Sequence, residues 1–322
     1  MDFALNDEQL ELQGLAKQIL GGERAVRASE RQRAGRTWGL GAERPKMWKE
    51  LAAAGLLGVG VPEQYGGLGY GIFEVCIVLE EQGRAAVDLP LLPTLVTALA
   101  LPDVAKDEWL PRVVAGEAVL TAALEDVVPY ANEADAILIG DRLVARADLD
   151  VTPVETTSGT PHGVPRGFVR GGHAKIRAER FWTAGLCAMQ AGVTEEALRI
   201  TAEYTKDRKQ FDKPIASFQA VGQRAADAYI DVQAIKLTAQ QAAWLLSEGL
   251  PADDELAIAK FWAAEGGQRV VHAAQHLHGG IGVDLDYPLH RYFTLAKQIE
   301  LSLGGATEQL VKIGQNLAVQ PR

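Results

Sequence analysis

A fixed cation, aromatic rings and a helix stop fall together between Asp207 and Gln219. Arg208 carries a planar guanidinium that can fork onto a phosphate. Phe211 and Phe218 offer apolar faces, and Pro214 ends the helical pattern before it. A second stretch, His276-Leu277-His278-Gly279-Gly280-Ile281-Gly282, closes another helical pattern with glycines that let a backbone approach a ligand closely. Two helix ends of this kind suit a long ligand with a charged pyrophosphate in its middle. A structural role competes for the same residues, because a cation also neutralises a helix C-terminus and glycine commonly ends one.

Other constellations carry less chemistry. His272 and His276 stand four apart on one helical face, a metal-binding spacing, but no third ligand and no general base accompany them. Gly279 to Gly282 neither follows a strand nor opens a helix, so it is not a dinucleotide fingerprint. Cys76 and Cys187 lie in apolar helical patterns, which predicts free thiols in a reduced cytoplasmic setting. Trp244 and Trp262 sit within long helical patterns as core or interface anchors.

These residues need a scaffold to position them. The net charge of −10 disfavours a nucleic-acid surface, no apolar run reaches membrane-spanning length, and Met1-Asp2-Phe3 does not open a signal peptide. Asn6-Asp7-Glu8-Gln9 reads as a capping box before a helix with Leu12, Leu15 and Ile19 on its face. Gly21 to Arg44 is polar and Arg-rich, an expected exposed loop with helical pieces. Helices are predicted from Pro45, from Ile72 to Gly83, and from Trp109 to Val114 with Pro111 in its first turn. Pro62 to Gly67 is a turn. Short apolar runs at Val119–Leu124, Ala136–Ile139 and Leu143–Ala145 predict five or six strands between Glu117 and Ala178. Five long helices then follow: Trp182 to Thr205, Ala216 to Glu248, Asp253 to His278, Pro288 to Leu303 and Thr307 to Val319. The expected organisation is a helical domain (1–116), a shortened β domain (117–178) and a helical bundle (179–322), a mainly α fold.

With those residues placed, the chain resembles the acyl-CoA dehydrogenase family over nearly its whole length. The resemblance rests on Pro62-Glu63-x-Tyr65-Gly66-Gly67-Leu68-Gly69, Glu81-x-Gly83-Arg84, Arg208-x-x-Phe211-x-x-Pro214-Ile215-x-x-Phe218-Gln219, Gly279-Gly280-x-Gly282 and Gly305-x-x-Glu308. It implies flavin adenine dinucleotide (FAD) lying across a subunit contact. Arg208, Gln210, Phe211, Ile215 and Phe218 would cover its nucleotide portion from one side. His276, Gly279 and Gly280 would cover it from the other, with His276 replacing the family's usual Gln.

The family desaturates acyl-CoA thioesters using a carboxylate that removes the α-proton. In many members that Glu stands in a turn that here reads Ser302-Leu303-Gly304-Gly305-Ala306-Thr307-Glu308, so Gly304 takes its place. Other members place it where this chain has Trp182. Glu179 and Glu308 are the nearest substitutes, and no catalytic residue is expected. Leu120 to Asp126 is the nearest remnant of a flavin-wrapping loop. His276-Leu277-His278-Gly279-Gly280-x-Gly282-Val283-Asp284, Tyr287-Pro288-x-His290-Arg291-Tyr292 and Leu303-Gly304-Gly305-Ala306-Thr307 resemble the short subunits of heteromeric dehydrogenases in bacterial steroid side-chain degradation. That implies a heterotetramer with two copies of each subunit, in which the partner supplies the base and most flavin contacts, with an acyl-CoA substrate and an electron-transfer acceptor. The alternatives are a self-sufficient homo-oligomer with an unorthodox base, and a flavin-free scaffold for acyl-CoA or protein.

Overall fold

The computed structural model describes residues 4–21, 44–156, 160–166 and 171–319. The loop expected from Gly21 to Arg44 lies outside them except at its two ends. Helices dominate both ends of the chain, with a small β region between.

Helix α1 (Asp7–Leu20) starts on the expected capping box: the Gln9 amide donates to the Asn6 side chain at 2.9 Å, and the Asn6 amide to the Gln9 side chain at 3.1 Å. Helices α2 (Arg44–Ala53), α3 (Ile72–Ala85), α4 (Leu91–Ala100) and α5 (Asp103–Val114) complete this part. The turn from Pro62 folds back on itself, with the amides of Leu68, Gly69 and Tyr70 donating to the carbonyls of Gly58, Val61 and Val59. The sequence pattern assigns no element to the α4 segment. Its Pro93 sits third in the helix, where the missing N–H would have no intrahelical partner. Helix α5 starts before the expected Trp109 and carries Pro111 near its end, not in its first turn. Burial of Trp109, Leu110 and Val113 offsets the hydrogen bond lost there.

Among the described residues six short strands follow, within the expected five or six: β1 (Leu120–Ala122), β2 (Val128–Pro129), β3 (Ala136–Ile139), β4 (Arg142–Ala145), β5 (Val151–Val154) and β6 (His162–Pro165). They form two three-stranded sheets. In one, β3 pairs parallel with β1 and antiparallel with β4; in the other, β6 pairs antiparallel with both β2 and β5. Ala123, Val128, Ile137 and Val151 make a small core of their own.

The bundle comprises α6 (His173–Asp207), α7 (Gln219–Ser247), α8 (Asp253–His278), α9 (Leu289–Leu301) and α10 (Ala306–Val319). Helix α6 starts nine residues before the expected Trp182 and inside the stretch assigned to the β domain. The Asp141 carboxylate, from the β3–β4 turn, accepts the Ala174 amide at 2.7 Å and so caps it from a distance no local pattern reveals.

Glycine sets how closely α3 and α6 approach. A Cβ at Gly83 would stand 2.0 Å from the Met189 carbonyl oxygen, and one at Gly192 would stand 1.9 Å from that of Glu80. Beside this contact the Arg84 guanidinium reaches Glu80 at 2.7 Å, Glu81 at 3.1 Å and Glu195 at 2.9 Å, while Lys236 of α7 pairs with Glu80 at 3.2 Å. The Glu81-x-Gly83-Arg84 motif is thus a packing device that joins three helices.

Helices α6 and α8 run parallel and in register. Gln190 donates to the Ala263 carbonyl at 3.0 Å, and near the helix ends Tyr204 stacks on His278. The two pairs are separated by almost the same sequence offset, so the C-termini of both helices finish side by side.

Gly192→Ala should destabilise the protein by roughly 1–3 kcal/mol through overpacking, although alanine is the better helix former by about 1 kcal/mol. Gly14→Ala in α1, where a Cβ meets nothing within 4 Å, should be neutral or stabilising. Denaturant unfolding of both variants checks the pair.

Candidate functional site

The level ends of α6 and α8 carry both stretches that the sequence singles out. After α6 the chain makes a hairpin of β7 (Lys209–Gln210) and β8 (Lys213–Pro214), tied back by the Ile215 amide donating to the Arg208 carbonyl at 2.8 Å. Its two-residue tip is Phe211-Asp212, with φ of 54° and 62°. Both values are positive, the geometry of a type I′ turn that normally takes Asn-Gly. Holding non-glycine residues there costs on the order of 1–3 kcal/mol each, a strain found preferentially at ligand clamps. The result is a Phe211 ring that is 87% exposed and meets the edge of Phe218 with centroids 6.2 Å apart. Lys213 Nζ lies 4.4 Å over the other aromatic, Phe218. Arg208 is exposed, and among the described residues nothing takes its guanidinium. Gln210 is exposed, with its side chain turned onto the Lys209 carbonyl, and Ile215 is half-buried.

The other half follows α8. His276 is exposed, Gly279 takes a φ of 63° that suits glycine, and a Cβ at either Gly279 or Gly280 would meet nothing within 4 Å. An exposed cation, an uncovered aromatic face and open glycine backbone are a donor set that fits the phosphates and rings of a dinucleotide. His278, between His276 and Gly279, is buried. Its Nδ1 faces the Ala274 carbonyl at 2.8 Å and its Nε2 the Tyr287 hydroxyl at 3.0 Å. His272 packs edge-on against Phe293. Among the described residues no group of three or more His, Cys, Asp or Glu is arranged to hold a metal, and no helix is long and apolar enough to cross a membrane.

A second arrangement surrounds the turn before α10. Leu303 and Gly304 take φ of 56° and 92°. Lys260 of α8, fully buried, donates to the carbonyls of Glu300 at 3.1 Å and Gly304 at 2.9 Å, and burial pushes its pKa down. Gln309 adds a bond to the Gly304 carbonyl at 3.2 Å, and the Leu303 amide donates to Glu125 at 3.3 Å. Burial raises the Glu125 pKa; the Leu303 amide and Lys260 oppose this, while Glu308 and Glu179 reinforce it. Glu125 therefore feels the charges of both Glu179 and Glu308 here. A Cβ at Gly304 would stand 2.1 Å from Glu308 Oε2, so that carboxylate fills the space a side chain at 304 would need. Trp182 is a buried core residue.

Sequence reasoning missed Lys260 and Glu125 as the groups that hold this turn. The available signal for Lys260 was a charge on the otherwise apolar stripe of Leu256, Ala259 and Ala263. Cys76 and Cys187 are buried free thiols, and burial raises the pKa of Cys187 to about 12.

Known proteins match this architecture from end to end. The model of the acyl-CoA dehydrogenase N-terminal domain matches residues 6–117, and that of the acyl-CoA dehydrogenase C-terminal domain matches residues 176–317. The chain belongs to the acyl-CoA dehydrogenase family. It is 39% identical to the acyl-CoA dehydrogenase FadE27 of Mycobacterium tuberculosis, across 100% of both chains. Among solved structures it is similar to the ChsE4-ChsE5 complex from Mycobacterium tuberculosis, with 36% identity, TM-score 0.89 and full coverage of both chains. It is also similar to a variant of the Tcur3481-Tcur3483 steroid ACAD, with 39% identity, TM-score 0.87, and 97% and 98% of the two chains covered. Within this acyl-CoA dehydrogenase chain the β region is short, as the strand count already shows.

Two outcomes follow for the family member in hand. Gly304→Glu should destabilise the protein, because a side chain there meets Glu308 and a φ near 92° disfavours any Cβ. Adding Glu308→Ala should recover part of the loss, as thermal denaturation of the single and double variants would report. His278 gives a pH dependence. Burial lowers its folded pKa below the ordinary 6.5, so the unfolded chain takes the proton more readily. Its contribution is complete above pH 6.5 and is lost as pH falls through the folded value. The melting temperature should fall more steeply in acid for the native chain than for His278→Gln.

Proposed function

We propose that this chain is the subunit of a heteromeric, FAD-dependent acyl-CoA dehydrogenase that covers the nucleotide end of a flavin seated mainly in its partner. One observation carries the reading: the hairpin presents an exposed Arg208 and an exposed Phe211 level with the Gly279-Gly280 backbone, and among the described residues nothing pairs with that guanidinium or covers that ring. Arg208 would neutralise phosphate charge, Phe211, Ile215 and Phe218 would pack the apolar edges, and Gln210, His276, Gly279 and Gly280 would complete the contact. Bound FAD would supply the hydride acceptor for α,β-desaturation of the thioester. The proton-abstracting carboxylate would come from the partner, since Gly304 cannot accept a proton. The chain's likeness to the ChsE4-ChsE5 complex and to the Tcur3481-Tcur3483 steroid ACAD supports a partner acyl-CoA dehydrogenase subunit. The assembly would be a heterotetramer that takes a bulky acyl-CoA such as a steroid side-chain ester and passes electrons to a transfer acceptor. Two buried free thiols suit a reduced cytoplasm.

A second reading, a self-sufficient enzyme, draws on the Glu308 carboxylate standing where a residue-304 side chain would begin. Purification separates the two. Made alone, the chain should be colourless and inert towards acyl-CoA; made with its catalytic partner, it should be yellow and reduce an electron acceptor. A yellow, active preparation of this chain alone would sink the first reading. In the complex, Arg208→Ala should weaken FAD retention by on the order of tenfold, the weight of a charge-assisted hydrogen bond, without lowering the melting temperature of this chain.

A further inference from the structure

We propose that His278 is the positioning residue that bolts the two halves of this cover together, an inference that rests on the nucleotide-covering reading above. The hairpin hangs from the end of α6, and the glycine turn from the end of α8. His278 immediately precedes Gly279, and its ring stacks on Tyr204 with centroids 4.4 Å apart and planes 19° from parallel. Tyr204 in turn accepts the Arg208 amide on its carbonyl at 2.9 Å, the last helical bond before the hairpin. Tyr287, from the segment after the glycine turn, packs against both rings, 6.3 Å from Tyr204 and 5.1 Å from His278.

The hydrogen bonds orient the imidazole. A carbonyl can only accept, so Nδ1 carries the proton given to Ala274, and Nε2 is left to accept from the Tyr287 hydroxyl. The ring is fixed along its own helix, across to the following segment and face-on against α6. Leucine at this position would fill the space but make none of the three contacts. Neither half of the cover hydrogen-bonds directly to the other among the described residues, so this stack is the side-chain contact that ties the two helix ends carrying them.

The test uses the complex co-expressed with its catalytic subunit, with FAD as the probe, and compares His278→Leu, Tyr204→Leu, Tyr204→Phe and Arg208→Ala. His278→Leu should raise the FAD dissociation constant about tenfold, the combined weight of a ring stack and a buried hydrogen bond, and Tyr204→Leu about fivefold, the weight of the stack alone. Tyr204→Phe keeps the ring face and should stay within about twofold of the native complex. In the flavin-free chain, His278→Leu should speed amide exchange at residues 208–218 while leaving that of α3 unchanged, a selective loosening that general destabilisation would not give. Should His278→Leu prove insoluble, Tyr204→Leu and the exchange measurement carry the same decision. Native FAD affinity in His278→Leu with loss in Arg208→Ala would overturn the bolt and keep the cover. Native affinity in both would remove the cover and this inference with it.

Discussion

The parallel register of α6 and α8 is the constraint on which the site depends. Helices of 35 and 26 residues that begin at different depths finish side by side because their packing is keyed at mid-helix, where the Gln190 amide reaches the Ala263 carbonyl, and again at the Tyr204–His278 stack. At 1.5 Å per residue, a shift of one turn would carry the hairpin about 5 Å past the glycine turn and separate the cation from the open backbone.

That register is held from behind. Gly83 and Gly192 bring α3 against α6 at a distance no side chain tolerates, and Arg84 then satisfies three carboxylates that burial would otherwise make costly. Lys260 acts similarly on the far side, spending its amine on two carbonyls of the turn before α10. The motif residues thus divide. Pro62 to Gly69 and Glu81 to Arg84 shape the scaffold, whereas Arg208, Gln210, Phe211, His276, Gly279 and Gly280 are exposed at its end.

Much of this was legible in the residue order. The capping box at Asn6, the strand punctuation after Glu117 and the limits of Asp253–His278 all rest on interactions between near neighbours, which local pattern encodes. The early start of α6 was not legible, because its cap is Asp141, and α4 was hidden by prolines whose position in the first turn is harmless. For the candidate site, Arg208 and the glycines stood out by type, but Phe211 read only as an aromatic face; its exposure on a strained type I′ tip is a matter of backbone geometry. Glu179 and Glu308 looked like distant substitutes for a carboxylate, and in the folded chain the charges of both help raise the Glu125 pKa.

By itself the sequence determined which side chains exist to do chemistry: a cation, aromatic rings, paired glycines, and at position 304 no carboxylate at all. It also settled the helical character of most segments, since periodicity and caps are short-range properties. Only the tertiary structure decided that the two candidate stretches share one end of the bundle, that Glu308 occupies the room Gly304 leaves, and that His278 lies between them. The first and last of these arise from contacts between residues many tens of positions apart, chosen by packing of the whole core, whereas the Glu308 contact spans four residues and follows the backbone geometry of the Leu303-Gly304 turn.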